Sequence, residues 1–261
     1  MSNIHAYYRS YDEKTRLTQD NLHYGEYHVT MHLLRKYLGE KPLQILDCCA
    51  GCGIYAAALA DMGHIVTAGD LIPAHAQYMR DNLPQLHEVF EGNVCDLSRF
   101  CDESFDVVLN FGALYHLQDT SERGRAVTEC LRVLRPGGIF AYTYQTLAAM
   151  ILTYYPTAIK SLDVDQRRRA YALMDHARNT HCRDIFYGMS SQEITELANT
   201  YDLTPITRAN TYPAFYPFFP ESDTLSEAEF EKYLEVCVET CEDPLSAEYC
   251  MHGLWIGAKA K

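Results

Sequence analysis

No stretch of about 18 uncharged apolar residues occurs in this 261-residue chain, so no transmembrane helix is expected. The opening MSNIHAYYRSYDEKTR puts polar and charged residues where a secretory leader needs an apolar run, and a cytoplasmic, reducing compartment is the expectation. Basic charge is scarce: 22 Lys and Arg stand against 35 Asp and Glu, a formal net charge of −13. Proteins that hold nucleic acid draw most of their affinity from neutralising phosphates, so the acidic excess argues against a nucleic-acid partner. The run Arg167, Arg168 and Arg169 reads as a solvated helix face. Internal repeats and low-complexity tracts are also missing, and nothing in the sequence specifies an oligomeric state.

Cysteine, by contrast, is plentiful, with ten residues. Three of them, Cys48, Cys49 and Cys52, crowd the start of ILDCCAGCGIYAAALADMGHIVTAGDL, which runs from Ile45 to Leu71. In a reducing compartment such residues read as buried thiols or metal ligands before disulfides. Cys49-x-x-Cys52 has ligand spacing, but a zinc site needs a second pair and no matching CxxC follows; Cys95 and Cys101 have five residues between them. No metal is expected. Cys237 and Cys241 share an apolar helical stripe with Phe230 and Leu234, the pattern of a core face.

The chain is 48% hydrophobic, enough for one sizeable core with an appended subdomain. Tyr27, Met31, Leu34 and Leu38 recur at helical spacing before Gly39. Strands are expected at Leu43–Asp47, His64–Ala68, Val89–Glu91, Phe105–Asn110 and Ile139–Tyr144, with helices at Ile54–Met62, from Pro73 to about Leu83, and over Val127, Leu131 and Leu134 up to Pro136-Gly137-Gly138. This alternation predicts βαβ units and a parallel sheet covered on both faces. The stretch from about Thr146 to Gly188 breaks the rhythm and reads as two helices around Pro156. Capping boxes at Ser190/Glu193 and Ser226/Glu229 open later helices, and strands are expected at Leu203–Thr211 and Gly253–Ala258.

The cysteine-glycine loop lies between a strand and a helix. Gly51 and Gly53 let the backbone turn tightly and approach a ligand, whose polar groups meet free N–H donors at the helix start. Asp70 ends the next strand, 19 residues after Gly51, where a carboxylate grips ribose hydroxyls. Cysteine at 48, 49 and 52 is then small filler. The string Gly51 to Ala56 also fits a dinucleotide fingerprint. Asp47 separates the two readings, because a carboxylate so close to the loop repels a pyrophosphate and suits an amino-acid ammonium.

With LDCCAGCG, the GD of AGDL, GNVCDLSRFCDESFDVV, NFGALYHL and LRVLRPGG in this order, the segment from about Leu43 to Tyr144 resembles a class I S-adenosylmethionine-dependent methyltransferase, nearest the ubiquinone/menaquinone-type branch. The resemblance implies an α/β, doubly wound, Rossmann-like sheet of seven strands, mostly parallel, with the last strand antiparallel. Cys49 replaces the usual first glycine of the loop. It further implies that the main chain of Gly51 and Cys52 meets the methionine part of the cofactor and that Asp47 holds the loop. Asp70 would take the ribose hydroxyls, with Leu71, Asn93 and Val94 around the adenine and Asn110 beneath the sulfonium. S-adenosylhomocysteine would be the product.

The same pattern places the acceptor pocket under a helical cap of residues 1–40 and a helical insertion, 146–189, that acts as a lid on the domain 41–261. Tyr7, Tyr8 and Tyr11 are candidates to stack on a small-molecule acceptor or close over the cofactor, Tyr115 is a further candidate for the acceptor, and Arg16 is a candidate to clamp a carboxylate of substrate or cofactor. The aromatic stretch TYPAFYPFFP, Thr211 to Pro220, either roofs the pocket or covers a sheet edge. Motif NFGALY is not the (D/N)PP(Y/F) of exocyclic or amide N-methylation, so those acceptors are disfavoured. His116 is the candidate catalytic residue: it either takes a proton from the acceptor or fixes its loop through a hydrogen bond. The competing readings are a nicotinamide-dependent oxidoreductase on the same kind of sheet and a non-catalytic cofactor-binding protein.

Overall fold

Apolar runs bounded by breakers become seven strands of one sheet in the computed structural model, which describes residues 2–150, 182, 183, 186–212 and 222–261. The strands are β1 (Gln44–Asp47), β2 (Ile65–Asp70), β3 (Glu88–Glu91), β4 (Phe105–Asn110), β5 (Leu134–Tyr144), β8 (Leu203–Asn210) and β9 (Gly253–Lys259), with β6 (Cys182–Arg183) and β7 (Phe186–Tyr187) forming a separate two-stranded ribbon. Their order is β3-β2-β1-β4-β5-β9-β8. The first five pair in parallel; β9 runs antiparallel between β5 and β8. This is the expected doubly wound sheet. The chain reverses its direction of travel across the sheet between β1 and β4, which opens a crevice at their carboxyl ends.

Two apolar layers hold the sheet. On one face Leu46, Val108, Phe140 and Tyr142 pack with Ala126, Val127, Cys130 and Leu131 of α5 (Thr120–Val133) and with Ile194 and Ala198 of α6 (Ser191–Thr200). On the other, Ile45, Val66, Val107, Leu109 and Ile256 pack with α2 (Asn21–Leu38), α3 (Ile54–Asp61), Met79 of α4 (Pro73–Asn82), and Tyr233 and Cys237 of α7 (Glu227–Thr240). The alternation of faces along β1 and β4 is the period of two that a strand imposes. A short α8 (Pro244–Glu248) and the N-terminal α1 (Ser2–Ser10) complete the helices among the described residues. Both capping boxes form: Glu193 accepts from the Ser190 N–H at 2.9 Å and Glu229 from the Ser226 N–H at 2.9 Å.

One boundary differs from expectation. Helix α5 stops at Val133, and Leu134 already pairs with Phe105, so Arg135-Pro136-Gly137-Gly138 lies inside β5 as an irregularity before Ile139 pairs with Val107. Gly137 takes φ +75°, open to glycine, and the Lys259 ammonium donates to the carbonyls of Leu131 and Leu134 at 2.8 Å, ending the helix from outside. The helices around Pro156, the arginine run at 167–169 and the part of the aromatic stretch beyond Tyr212 lie outside the described residues. The chain on either side of the 151–181 segment is pinned together, with Leu147 N–H donating to Met189 O at 3.0 Å and Met189 N–H to Gln145 O at 2.8 Å.

Candidate functional site

A cleft of about 640 Å³ lies across the carboxyl ends of β1, β2 and β4. Its first half is built by the loop after β1. Gly51 and Gly53 sit at φ +55° and +82°, the left-handed region. A Cβ on Gly53 would stand 2.6 Å from Leu83 Cδ1 and 2.9 Å from Met79 Cγ; one on Gly51 would meet Glu13 Cγ at 3.1 Å. Asp70 ties this loop to the next. Its Oδ2 accepts the Gly51 N–H at 2.8 Å, and its Oδ1 accepts the Ile72 N–H at 2.8 Å and contacts His75 Nδ1 at 3.1 Å. Asp70 thus shapes the glycine loop as well as lining the cleft.

Asp47 ends β1 only 1% exposed, and its Oδ1 has no hydrogen-bond partner. Burial pushes its carboxyl up to about 7, against the pull of the Cys49 N–H and helped by the nearby Asp70. A buried carboxylate oxygen left unpaired beside a cleft is a receptor for a cationic donor. Leu71, Asn93 and Val94 line the same end, and Asn93 Oδ1 accepts the Cys95 N–H at 2.9 Å. Cys48, Cys49, Cys52 and Cys95 line it too. Burial raises the Cys48 thiol well above its ordinary value and pushes Cys52 up to about 12, so both stay protonated. Among the described residues no group of three or more His, Cys, Asp or Glu is arranged to hold a metal ion.

Asn110 does not join them. It is fully buried, its Nδ2 donates to Cys130 Sγ of α5 at 3.6 Å, and it is not among the residues that line the cleft. Along β4 Asn110 alternates with Leu109, and its side chain meets α5 on the side where Val108 packs.

The second half of the cleft is aromatic. Rings run in contact from Tyr11 to Tyr7 (5.3 Å), Phe186 (5.8 Å), Tyr115 (6.0 Å), His252 (5.9 Å) and Tyr212 (5.2 Å). His116 lies at this wall with Nε2 2.9 Å from the Tyr8 hydroxyl and its ring 5.0 Å from Phe186. Its loop is held from behind. Buried Arg123 donates to the carbonyls of Leu117 (2.5 Å) and Gln118 (3.0 Å) and stacks its guanidinium 3.8 Å from the Tyr187 ring centre, while Tyr187 N–H donates to Tyr115 O at 2.7 Å. His116 itself ties this loop to Tyr8 of α1.

Arg16 reaches the cleft between two carboxylates, donating from Nη1 to Glu26 at 2.8 Å and from Nε to Glu13 at 3.2 Å. Nη2 makes no hydrogen bond among the described residues. Burial would push Glu26 up, but the Arg16 guanidinium and His252 outweigh it and hold the carboxyl below the ordinary range. For Glu13 burial outweighs Arg16 and raises it. Tyr11 and Tyr115 both line the cleft; burial pushes the Tyr11 hydroxyl up to about 12 and raises that of Tyr115, so neither ionises near neutrality.

The sequence reading missed four of these residues: Glu13, Glu26, His75 and His252. Glu26 carried a signal, since it falls in helical register with Val29, Thr30 and Leu33 on the buried face of α2. His252 carried a weaker one, standing immediately before a strand that enters the sheet antiparallel and so begins at the carboxyl edge of β5.

Residues 46–142 match a family described as a methyltransferase domain. A probable S-adenosylmethionine-dependent methyltransferase from Mycolicibacterium smegmatis is 36% identical over 96 residues, 37% of this chain and 35% of that protein. A demethylmenaquinone methyltransferase from Renibacterium salmoninarum is 32% identical over 127 residues, 48% of this chain and 51% of that protein. The matched segments thus span about a third to a half of the length of these curated relatives. The crystal structure of a Burkholderia thailandensis 1,6-didemethyltoxoflavin-N1-methyltransferase with bound 1,6-didemethyltoxoflavin and S-adenosylhomocysteine superposes with a TM-score of 0.58 at 17% identity, over 100% of this chain and 88% of that one. At that identity the likeness speaks for the fold, which is the Rossmann-like fold of class I methyltransferases.

Proposed function

We propose that this chain, whose residues 46–142 match the methyltransferase domain, transfers a methyl group from S-adenosylmethionine to a small-molecule acceptor. The observation that carries the reading is the pair of carboxylates about the glycine loop: Asp47, buried with an unpaired Oδ1, and Asp70, braced by the Gly51 and Ile72 N–H groups. Asp47 suits the cofactor's ammonium, Asp70 retains lone pairs for ribose hydroxyls, and Leu71, Asn93 and Val94 surround the adenine. Gly51 and Cys52 main chain face the methionine part. The cofactor, when bound, supplies a methyl group already activated on a sulfonium, so what remains for the protein is alignment and exclusion of water. A pyrophosphate beside ionised Asp47 would be repelled, which weighs against a nicotinamide cofactor.

Residues 1–40 act as a cap in this reading. Tyr11, Arg16 and Tyr115 bound the acceptor space, Nη2 of Arg16 is available to a carboxylate, and His116 holds the wall in place through Tyr8. The acidic balance of the chain weighs against a nucleic-acid acceptor, and no helix among the described residues is long and apolar enough to cross a membrane. We place the reaction in the cytoplasm. The test is thermal unfolding with S-adenosylhomocysteine or NAD: the first raises the melting temperature, since binding to the native state stabilises it, and the second does not. Stabilisation by NAD alone would overturn the reading.

A further inference from the structure

Besides His116, the cleft is lined by His252, an imidazole with a carboxylate behind it. His252 Nδ1 faces Glu26 Oε1 at 3.7 Å, and both residues line the aromatic half. Glu26 is 4% exposed and shares its charge with Arg16. The backbone is fixed at this point: the His252 carbonyl accepts from Thr211 N–H (2.9 Å), Tyr212 N–H (3.2 Å) and Thr211 Oγ1 (2.8 Å). The ring is wedged between Tyr115 and Tyr212, with Nε2 making no hydrogen bond among the described residues. A carboxylate on the Nδ1 side favours the tautomer with its proton there and leaves the Nε2 lone pair as an acceptor. His116, by contrast, has its Nε2 engaged by Tyr8.

We propose that His252, oriented by Glu26, is the proton acceptor for a hydroxylated aromatic acceptor seated against the ring wall of Tyr7, Tyr115, Phe186 and Tyr212. In the step, the acceptor's O–H bond breaks, an N–H bond forms on His252 Nε2, and the electron pair left on oxygen becomes the nucleophile. The imidazolium afterwards returns its proton to water. Tyrosine hydroxyls cannot take this proton, because burial holds Tyr8, Tyr11 and Tyr115 in their protonated forms. The groups that face His252 act in both directions: burial lowers its pKa and Glu26 raises it, while Arg16 and His23 lower it, and the balance lies below the ordinary value. The ring is therefore neutral, and competent to accept a proton, at neutral pH.

This inference rests on the cofactor reading above but is tested apart from it. 1-Naphthol serves as the probe, because its excited state emits differently as naphthol and as naphtholate. Bound to the protein, it should emit as naphtholate in the wild type and as neutral naphthol in His252→Gln. Histidine NMR of the protein without cofactor should show the His252 ring titrating below the ordinary value, and lower still in Glu26→Gln. Failure of 1-naphthol to bind the wild type, or naphtholate emission that survives His252→Gln and His252→Asn, would overturn the proposal. Stabilisation by S-adenosylhomocysteine is measured on the same variants; its loss in the wild type would defeat the cofactor reading instead.

Discussion

Replacing Asp47 with asparagine should make the protein without cofactor gain stability on the wild type as pH rises. In the folded chain the carboxyl is pushed up to about 7, while an unfolded aspartate titrates near its ordinary value of 3.8. A group whose folded pKa is raised carries no penalty below the unfolded pKa; its cost accumulates as pH rises and levels off above the folded pKa. A displacement of about three units, at about 1.4 kcal/mol each, corresponds to about 4 kcal/mol at pH 8, and to about 1.5 kcal/mol at pH 5 where only the unfolded chain has ionised. Asparagine removes that penalty but leaves an amide N–H facing the position of the unpaired Oδ1, which costs about 1–3 kcal/mol at every pH. The pH-dependent part is therefore the clean readout. Urea unfolding of both proteins at pH 5 and pH 8 should show the variant gaining about 2–3 kcal/mol on the wild type between the two. A pH-independent difference would refute the burial argument. The same substitution should weaken S-adenosylhomocysteine binding, and wild-type affinity should rise from pH 5 towards 7 as Asp47 becomes ionised.

Asp70→Ala should reduce S-adenosylhomocysteine affinity by about 2–4 kcal/mol, thirty- to a thousandfold by calorimetry. It should also lower the melting temperature, because the Gly51 and Ile72 N–H groups lose their acceptor; an unchanged melting temperature would contradict that bracing role. Lys259→Met should cost about 1–2 kcal/mol in denaturant unfolding by stripping the cation from the C-terminal carbonyls of α5. Cys49→Ala should retain S-adenosylhomocysteine binding, and elemental analysis should find no stoichiometric zinc or iron; a metal lost together with Cys49 would reverse the assignment of the loop.

Strands β1, β2 and β4 were legible because each is an apolar run closed by a breaker or a carboxylate, and the carboxylates of β1 and β2 mark the sheet's open edge. Asp47, Gly51 and Asp70 followed from that edge. The resemblance did not record which face of β4 Asn110 occupies, a matter of one residue in a period of two. Pro136-Gly137-Gly138 looked like a stop between elements, whereas its pairing is decided by β4 across the sheet. Glu13, Glu26 and His252 were missed for another reason: each acquires its chemistry from a partner, and Glu26 meets His252 across 226 residues of sequence. Local pattern records which face a residue occupies, not what will be opposite it.

The placement of β9 has a consequence in time. Every other strand of the sheet precedes it in the chain, yet it lies in the interior, joined by ladders to β5 on one side and β8 on the other. The segment from β1 to β4 can close its parallel pairs from its own residues as it forms. β8 has no neighbour in the sheet except β9, so its backbone groups wait unpaired until the last strand arrives. Closing so long a loop is slow, because its entropy is lost before any pairing compensates. The edge of β5 is exposed meanwhile, and it is there that a newly made chain is most open to wrong partners. His252, one residue before β9, reaches the cleft only when that last pairing is made.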